Sequence, residues 1–437
     1  MQNADYDDFI KKTAANQPVI NIATFGGVTN GKSTLVEKIS HEKTQRHSDE
    51  QINNITIKLG YANAKIYKCP DCPKPECYQS TGSSYYQHLC CKCNTECEFI
   101  IHISFTDCPG HHLYMATMLN GTCVIDGAIL VEAATNEKIP QIQSIEHFEV
   151  AHEAGIPISL VCLNKLDLMV NQKNKVPDII KRMTKFIELH DNKIPIIPIS
   201  GTMGINIDVV IEYLANFKIP TKNLNGEFKM LIIRSFNINK EKTKISELKG
   251  GVIGGSVVCG TIRTSEELTI YPGYISMNDG VWSYSPLRTK AISINSGKTH
   301  LDYAIQGGLI GIQLDIDSAF TTSDKLIGNV VFPASKQNVK VYEQILLQYK
   351  KMERKITEYF ANYSSTFSNT DVIQININAN NVICKIISFD NNTISLLLDK
   401  PICLEIGDLV TISKMCNNTI EIYGKGIFVE GKEAKII

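Results

Sequence analysis

The residues best suited to chemistry lie near the amino terminus, in a glycine-rich run that ends in lysine and serine. From Gly26 to Ser33 the sequence fits the pattern G-x-x-x-x-G-K-S. Segment 18–25 before it is apolar and β-branched, and segment 34–40 after it has apolar residues at helical spacing. A strand, a glycine-rich turn and a helix in this order predict a P-loop. The alternative is a chance glycine-rich turn, which would not need these flanking elements.

A P-loop binds nucleotide phosphates through backbone N–H groups and through the positive end of the following helix. Its lysine reaches the β- and γ-phosphate oxygens, and its serine occupies a Mg²⁺ position. Here these side chains are those of Lys32 and Ser33. The residues predicted to hold the phosphates are Thr29, Asn30, Gly31, Lys32, Ser33 and Thr34.

Two further motifs predict the residues that respond to the γ-phosphate. Thr56 stands between the P-loop and the next motif, where a GTPase carries a threonine that completes the Mg²⁺ and γ-phosphate shell. Residues 107–111 form a D-x-x-G-H element, in which Asp107 would hold Mg²⁺ through water and the Gly110 N–H would approach the γ-phosphate. His111 is predicted to orient the attacking water. The alternatives are an ordinary strand threonine and a surface histidine.

A third set of residues predicts which base is bound. An N-K-x-D motif follows the apolar strand 158–163, and the carboxylate of Asp167 can accept hydrogen bonds from guanine N1 and N2, which adenine cannot offer. Lys165 would pack its stem over the base. A further strand, 194–199, precedes a backbone N–H that can meet guanine O6. The predicted guanine-site residues are Asn164, Lys165, Asp167, Ser200, Gly201 and Thr202. The motifs together, in this order and at strand ends, predict a GTPase that uses GTP and Mg²⁺.

A cysteine-rich block lies between the P-loop and the D-x-x-G element. Two C-x-x-C pairs are separated by seventeen residues, which is within the range of a zinc ribbon. Four thiolates would make a closed, structural Zn²⁺ site. The predicted ligands are Cys69, Cys72, Cys90 and Cys93. Additional cysteines at 77, 91 and 97 leave the fourth ligand open, and the alternative is an insert that has lost its metal.

Composition limits the remaining possibilities. A chain of 437 residues, 43% hydrophobic and 20% charged, is expected to be globular with two or three domains. No apolar run approaches the ~20 residues of a membrane span, and no secretory signal is visible, so we expect a cytoplasmic protein without a membrane partner. The formal net charge of −1 excludes a uniformly basic nucleic-acid-binding surface, although a local basic face could bind RNA.

The pattern of predicted elements divides the chain. Strands alternate with helices as far as residue 220, and short β-branched runs broken by glycine follow. The predicted fold is an α/β P-loop GTPase domain followed by two antiparallel β-barrel domains. We place a flexible N-terminus at 1–16, the GTP-binding domain at 17–222 with its cysteine insert at about 69–97, and the barrels at 223–332 and 333–437.

These motifs, with segments 54–67, 75–78 and 118–121, closely resemble the gamma subunit of eukaryotic and archaeal translation initiation factor 2. The resemblance runs from about Val19 to the C-terminus and is densest in the first half. The cysteine insert and segment 55–67 look like this family and unlike the elongation factors.

The resemblance implies a GTPase domain and two barrels, as in elongation factors of the Tu and 1A type. It implies binding of methionylated initiator tRNA when GTP is present, and a heterotrimer with alpha and beta subunits. By analogy alpha would dock on the second domain and beta on the GTPase domain. The small ribosomal subunit and GTPase-activating and nucleotide-exchange factors are further implied partners. Two alternatives stay open: an elongation-type GTPase that delivers aminoacyl-tRNAs generally, and a GTP-gated assembly subunit that scarcely hydrolyses.

The sequence departs from the family pattern at three positions. Family members usually carry histidine where Gly27 and Asn30 stand and alanine where Gly201 stands. Phosphates are held by backbone groups, and glycine and asparagine both tolerate unusual φ angles. We therefore expect these changes to bear on nucleotide affinity and hydrolysis rate more than on nucleotide identity.

Overall fold

The computed structural model describes residues 3–44, 59–110, 124–190, 193–240, 242–352, 367–368, 371–416 and 419–437. They form two compact units, one from the described residues of 3–121 and 125–221, the other mainly from those of 222–353 and 360–437. The predicted site residues Thr56 and His111, and segment 118–121, lie outside the described residues.

The first unit is built on a seven-stranded mixed sheet with the spatial order β3-β2-β4-β1-β5-β6-β7. The strands in chain order are β1 (Ile20–Phe25), β2 (Gly60–Lys68), β3 (Tyr78–Gly82), β4 (Glu98–Asp107), β5 (Gly127–Ala133), β6 (Ile158–Asn164) and β7 (Ile196–Pro198). β4, β1, β5, β6 and β7 run parallel, whereas β2 pairs antiparallel with β4 and β3. Every residue of β1 and β5 is buried, as is usual for the central strands of a parallel sheet, and most of these residues are apolar.

Five helices and a long 3-10 helix connect these strands in the described part of the first unit. They are α1 (Asn3–Ala14), α2 (Lys32–Ser40), α3 (Ile142–Glu153), the 3-10 helix Leu166–Lys175, α4 (Val176–Glu188) and α5 (Ile207–Ala215). α2 starts directly after the glycine-rich turn and buries Leu35, Val36 and Ile39, the apolar residues at helical spacing. The predicted order of strand, turn and helix is therefore present around the P-loop.

The amino-terminal segment differs from its prediction. Residues 1–16 were expected to be frayed because they are polar, but Asn3–Ala14 form α1. Ile10 and Ala14 on this helix are buried, and Lys11 forms an ion pair with Glu98 of β4 at 2.9 Å. Burial of apolar side chains at spacing i and i+4 stabilises the helix although most of its residues are polar.

The second unit contains two closed antiparallel barrels. Strands of the first are β8 (Lys229–Phe236), β9 (Val252–Cys259), β11 (Glu267–Asn278), β12 (Val281–Ser296), β15 (Leu309–Leu314) and β16 (Val330–Pro333), with the short β10 (Thr261–Arg263), β13 (Thr299–Leu301) and β14 (Tyr303–Ile305) beside them. The ring closes in the order β11-β16-β8-β9-β15-β12, and β12 pairs back with β11. Inward-facing aliphatic side chains such as Ile232, Ile253 and Leu268 fill its core.

The second barrel closes in the order β17-β20-β19-β18-β21-β22. Its strands are β17 (Val341–Lys351), β18 (Val372–Ile377), β19 (Asn380–Phe389), β20 (Thr393–Cys403), β21 (Leu409–Cys416) and β22 (Thr419–Glu433). A final short strand, β23 (Lys435–Ile436), leaves this barrel and pairs in parallel with β12 of the first one. No helix among the described residues is long and apolar enough to cross a membrane.

Candidate nucleotide-binding site

The P-loop has a backbone shape that only glycine permits at two of its positions. Gly26 has φ of +131°, and a Cβ there would lie 2.1 Å from the carbonyl oxygen of Val131. Gly31 has φ of +95°, and a Cβ there would lie 2.2 Å from Nδ2 of Asn164. Both contacts are far inside van der Waals distance, so the two glycines of the motif are required by the turn itself.

Lys32 is buried beneath the loop that it would serve. Its Nζ donates to the carbonyl oxygens of Gly26 at 3.1 Å and Gly27 at 2.8 Å. Burial lowers the pKa of Lys32, while the nearby acidic groups, Asp107 first, act in the opposite direction. A Cβ on Gly110 would lie 2.5 Å from this Nζ and 2.8 Å from backbone atoms of the loop, so the D-x-x-G element lies directly against the P-loop.

The Asp107 carboxylate is fully buried and is held by two hydroxyls. Oδ1 accepts from Thr24 Oγ1 at 3.1 Å and Oδ2 from Thr44 Oγ1 at 2.7 Å. Thr24 lies on β1 just before the P-loop, and Thr44 lies after α2. Neither threonine was predicted as a site residue from the sequence, although Thr24 lies just before the P-loop. Their hydroxyls fix the carboxylate that was predicted to hold Mg²⁺ through water.

The motifs predicted to select guanine come together after the ends of β6 and β7. Oδ1 of Asn164 accepts from the backbone N–H of Lys165 at 2.8 Å and of Gly201 at 2.9 Å. Asp167 Oδ1 accepts from the hydroxyl of Ser200 at 2.6 Å. The N-K-x-D segment and the S-G-T segment are therefore tied to each other before any base is bound.

One side chain joins the phosphate half of the site to the guanine half. Nδ2 of Asn164 donates to the carbonyl oxygen of Asn30 in the P-loop at 2.9 Å. In addition, the position where a Cβ of Gly201 would stand is 3.4 Å from Cγ2 of Thr34 on α2. Asn164 and Gly201 of the predicted guanine set therefore lie against Asn30 and Thr34 of the predicted phosphate set.

The three departures from the family pattern have different structural settings. The side chain of Asn30 is fully buried and donates to Val131 O at 3.1 Å, on the side of β5. A Cβ on Gly27 would lie 2.1 Å from Oε1 of Gln141, so this glutamine occupies the space that a larger residue would need. A Cβ on Gly201 would make only ordinary contacts, so alanine and glycine are nearly interchangeable there.

A buried polar network behind the P-loop was not predicted from the sequence. Glu132 lies fully buried on β5, and its Oε1 accepts from Nδ2 of Asn136 at 2.6 Å. The same Nδ2 donates to Oδ1 of Asn30 at 3.1 Å. Burial raises the pKa of Glu132, against the effect of hydrogen bonds from Ser144 and Asn136. The sequence signal that could have indicated this network is a glutamate inside an otherwise apolar strand, because a buried carboxyl group needs polar partners.

The backbone N–H groups at the start of the P-loop face α3. Gly26 donates to Nδ1 of His147 at 3.0 Å, and Gly27 donates to Oγ of Ser144 at 3.2 Å. Val28 donates to Oε1 of Gln143 at 3.1 Å. The first three N–H groups of the loop are therefore already paired with side chains of α3, whereas the predicted phosphate-binding residues begin at Thr29.

The cysteine block forms a compact four-sulfur cluster. The Sγ atoms of the four predicted ligands all lie within 4.8 Å of one another, and the group could hold a metal ion. Three separations are 3.4 Å for Cys69 and Cys93, 3.6 Å for Cys72 and Cys90, and 3.7 Å for Cys72 and Cys93. Four sulfurs at ~2.3 Å from a tetrahedral Zn²⁺ would be ~3.8 Å apart, so the cluster fits that ion.

Hydrogen bonds around the cluster favour thiolate at one of its members. Backbone N–H groups of Cys93 and Lys92 lower the pKa of Cys90 to about 6. Nε2 of Gln79 also donates to Cys90 Sγ at 3.0 Å. Donors of this kind orient and tune metal ligands in known sites. The additional cysteines at 77, 91 and 97 are not members of the four-residue group.

Comparisons with known proteins agree with these features. The elongation factor Tu GTP-binding domain family matches residues 17–220, and the initiation factor eIF2 gamma C-terminal family matches residues 343–428. The chain is 36% identical to eukaryotic translation initiation factor 2 subunit gamma of Schizosaccharomyces pombe, over 97% of this chain and 96% of that protein. The chain belongs to the initiation factor 2 gamma family. It is therefore a translational GTPase of the initiation-factor type.

Two more members of the family show similar agreement. Identity is 34% to subunit 3 of the Drosophila melanogaster factor, over 96% of this chain and 90% of that protein. The identity to subunit gamma of the Encephalitozoon cuniculi factor is 35%, over 95% of this chain and 93% of that protein. These matches span both compact units and not the GTPase domain alone.

Solved structures show the same fold at lower identity. A bacterial selenocysteine-specific elongation factor superposes with a TM-score of 0.69 at 18% identity, over 94% of this chain and 58% of that one. The elongation factor SelB of Methanococcus maripaludis, in complex with a GTP analogue, superposes with a TM-score of 0.66 at 20% identity. The match covers 95% of this chain and 80% of that one. The predicted fold of a GTPase domain followed by two barrels is confirmed.

Proposed function

We propose that this chain is the GTP-dependent carrier of methionylated initiator tRNA, as the GTPase subunit of a heterotrimer with alpha and beta subunits. The observation that supports this most directly is the full-length similarity to proteins named as the gamma subunit of initiation factor 2. The complex would act in the cytoplasm and deliver the tRNA to the small ribosomal subunit. GTPase-activating and nucleotide-exchange factors would reset it.

The proposed switch uses residues of both motifs that face the γ-phosphate. Lys32 would move its Nζ from the loop carbonyls to phosphate oxygens, and Ser33, Thr56 and Asp107 would complete the Mg²⁺ shell. Because Thr56 and the Gly110 N–H reach the γ-phosphate only when it is present, their loops are held in the GTP state and released after hydrolysis. A tRNA that contacts these loops would then bind more tightly with GTP.

Gating by the nucleotide is tested by titrating methionylated initiator tRNA against the assembled complex. We expect tighter binding with a non-hydrolysable GTP analogue than with GDP, and a modest salt dependence because the chain is nearly neutral. A preference below about threefold, or ~0.7 kcal/mol, would mean that the nucleotide does not gate the tRNA. Equal binding of uncharged and elongator tRNAs would indicate a general RNA-binding face instead.

The two alternative functions have separate tests. Sequencing the RNA that co-purifies with the chain from cytosol would give one tRNA and two companion subunits for an initiation factor, and many tRNAs for an elongation-type GTPase. The match of residues 343–428 to the initiation-factor family favours the first outcome. Single-turnover hydrolysis with ribosomes and an activating protein would identify an assembly subunit, which would remain slow.

If Asp167 selects guanine, the substitution Asp167→Asn should change which nucleotide is bound. In Asp167→Asn the side-chain oxygen can keep the Ser200 hydrogen bond, which leaves the new amide N–H₂ facing the base edge. The amide N–H₂ would then face the N–H donors of guanine, with no acceptor between them. GTP binding should therefore weaken by ~1.5–3 kcal/mol, roughly ten- to a hundredfold, and binding of xanthosine triphosphate should improve.

The measurement is competition between GTP, ATP and xanthosine triphosphate. Asp178→Asn is a matched control, because Asp178 is an exposed carboxylate on α4 that forms an ion pair with Arg182. That variant should bind as the unmodified protein does. Equal affinity of the unmodified protein for GTP and ATP would rule out the guanine assignment.

We further propose that the four-cysteine cluster holds one structural Zn²⁺. Each chain purified without added metal should contain about one equivalent of zinc, and the affinity should fall as the pH falls because protons compete for the thiolates. Cys90→Ser should lose the zinc. Cys91→Ser is the control, since Cys91 is exposed and adjacent but lies outside the cluster. Zinc below about a tenth of an equivalent in the unmodified protein would count against the site.

A further inference from the structure

The N-terminal half of α3 makes an unusual set of contacts with the P-loop. Gln143, Ser144 and His147 each accept a hydrogen bond from one of three consecutive P-loop N–H groups, at 3.0–3.2 Å. His147 is four residues after Gln143 and three after Ser144, which are the spacings of neighbours on a helix surface, so one side of α3 contacts the first three residues of the loop. These three residues are called the α3 clamp below.

The clamp reaches further into the loop through one of its members. Oγ of Ser144 also lies 3.4 Å from Nδ2 of Asn30, and that amide group donates to Val131 O as well. The side chains of Ser144, His147 and Asn30 are all buried. Leaving a buried N–H group without a partner costs free energy comparable to a lost hydrogen bond. The clamp therefore strongly favours the loop conformation in which these N–H groups are paired.

His147 is the clamp residue with the least freedom. It is 1% exposed, and its ring lies edge-on to Phe25 at a centroid distance of 6.1 Å. Because Nδ1 accepts from Gly26, the ring proton must be on Nε2, which has no hydrogen-bond partner among the described residues. Burial lowers the pKa of His147 to about 3, so the acceptor remains available across the physiological pH range.

We propose that the α3 clamp preorganises the phosphate-binding loop and that His147 is a positioning residue for nucleotide binding. His147 acts through the backbone of Gly26 and touches neither phosphate nor base. By holding the first three N–H groups away from the phosphates, the clamp leaves the loop in the shape that receives a nucleotide, so less conformational freedom is lost on binding. The inference rests on the nucleotide site proposed above.

The test compares two substitutions at the same position. His147→Leu keeps the bulk and removes the acceptor, whereas His147→Asn can keep an acceptor oxygen close to the place of Nδ1. We expect the leucine variant to bind fluorescent GDP about tenfold more weakly, and the asparagine variant to bind within about threefold of the unmodified protein. Folding of each variant is checked by thermal unfolding.

His102→Leu is the matched control for a general loss of stability. His102 is also 1% exposed, but its Nδ1 contacts Ala14 O at 3.2 Å and no P-loop residue. The control should lower the unfolding temperature without changing GDP affinity. Should His147→Leu fail to fold, Ser144→Ala removes the acceptor for Gly27 with little change of shape and should weaken GDP binding severalfold.

Several outcomes would overturn the proposal. GDP affinity of folded His147→Leu within about twofold of the unmodified protein would do so, as would an equal loss in the leucine and asparagine variants. An unchanged affinity of Ser144→Ala would also contradict it. Failure of the unmodified protein to bind GDP would remove the nucleotide site itself, and this proposal with it, whereas failure of the clamp variants alone leaves the site intact.

Discussion

His111→Ala should slow partner-stimulated GTP hydrolysis by ~10²–10⁴-fold while GTP affinity stays nearly unchanged. A residue that orients the attacking water stabilises the transition state and contributes little to the ground state. The loss should therefore appear in the hydrolysis rate and not in binding.

The position of Gly110 supports this expectation. A Cβ on Gly110 would be 2.5 Å from Nζ of Lys32, so the D-x-x-G element lies against the group proposed to bind the γ-phosphate. His111 is the next residue in the sequence after Gly110.

The measurement is single-turnover hydrolysis with ribosomes and an activating protein. His112→Ala is the control, because His112 lies outside the D-x-x-G-H element and no motif assigns it a role in hydrolysis. That variant should keep the full stimulated rate. An unchanged stimulated rate in His111→Ala would remove His111 from the mechanism, and an equal loss in both variants would point to damage of the segment as a whole.

The sequence predicted those features that are local in the chain. A strand was predicted at 158–163 and β6 occupies Ile158–Asn164, because a short run of mostly apolar residues that ends at a polar motif is typical of a buried strand. The four cysteines predicted as ligands also lie together in the structure, since the spacing of two C-x-x-C pairs limits which sulfurs can meet.

Contacts between distant parts of the chain could not be predicted in this way. The bond of Gly26 to His147 joins residues 121 positions apart, and that of Thr44 to Asp107 spans 63. No local sequence pattern around His147 or Thr44 indicates which distant residue it contacts. The N-terminal helix was missed for a related reason, because its buried face depends on packing against the sheet.

Folding stability should fall in acid because two histidines are buried in the folded protein. Burial lowers the pKa of both His102 and His147 from 6.5 to about 3. Below pH 6.5 the unfolded chain binds protons at these rings and the folded chain does not, so folding stability is lost as the pH falls. Each ring contributes a slope of ~1.4 kcal/mol per pH unit between about pH 6 and pH 4, or ~2.7 kcal/mol for the two.

Calorimetric unfolding of the nucleotide-free protein between pH 7.5 and 4.5 measures this slope. His102→Leu should be less steep by the share of one ring, because leucine binds no proton in either state. Equal slopes for the unmodified protein and His102→Leu would show that the buried ring is already protonated in the folded state. Because His147 also accepts from Gly26, protonation of its ring would break the α3 clamp, so acid should loosen the P-loop as it destabilises the unit.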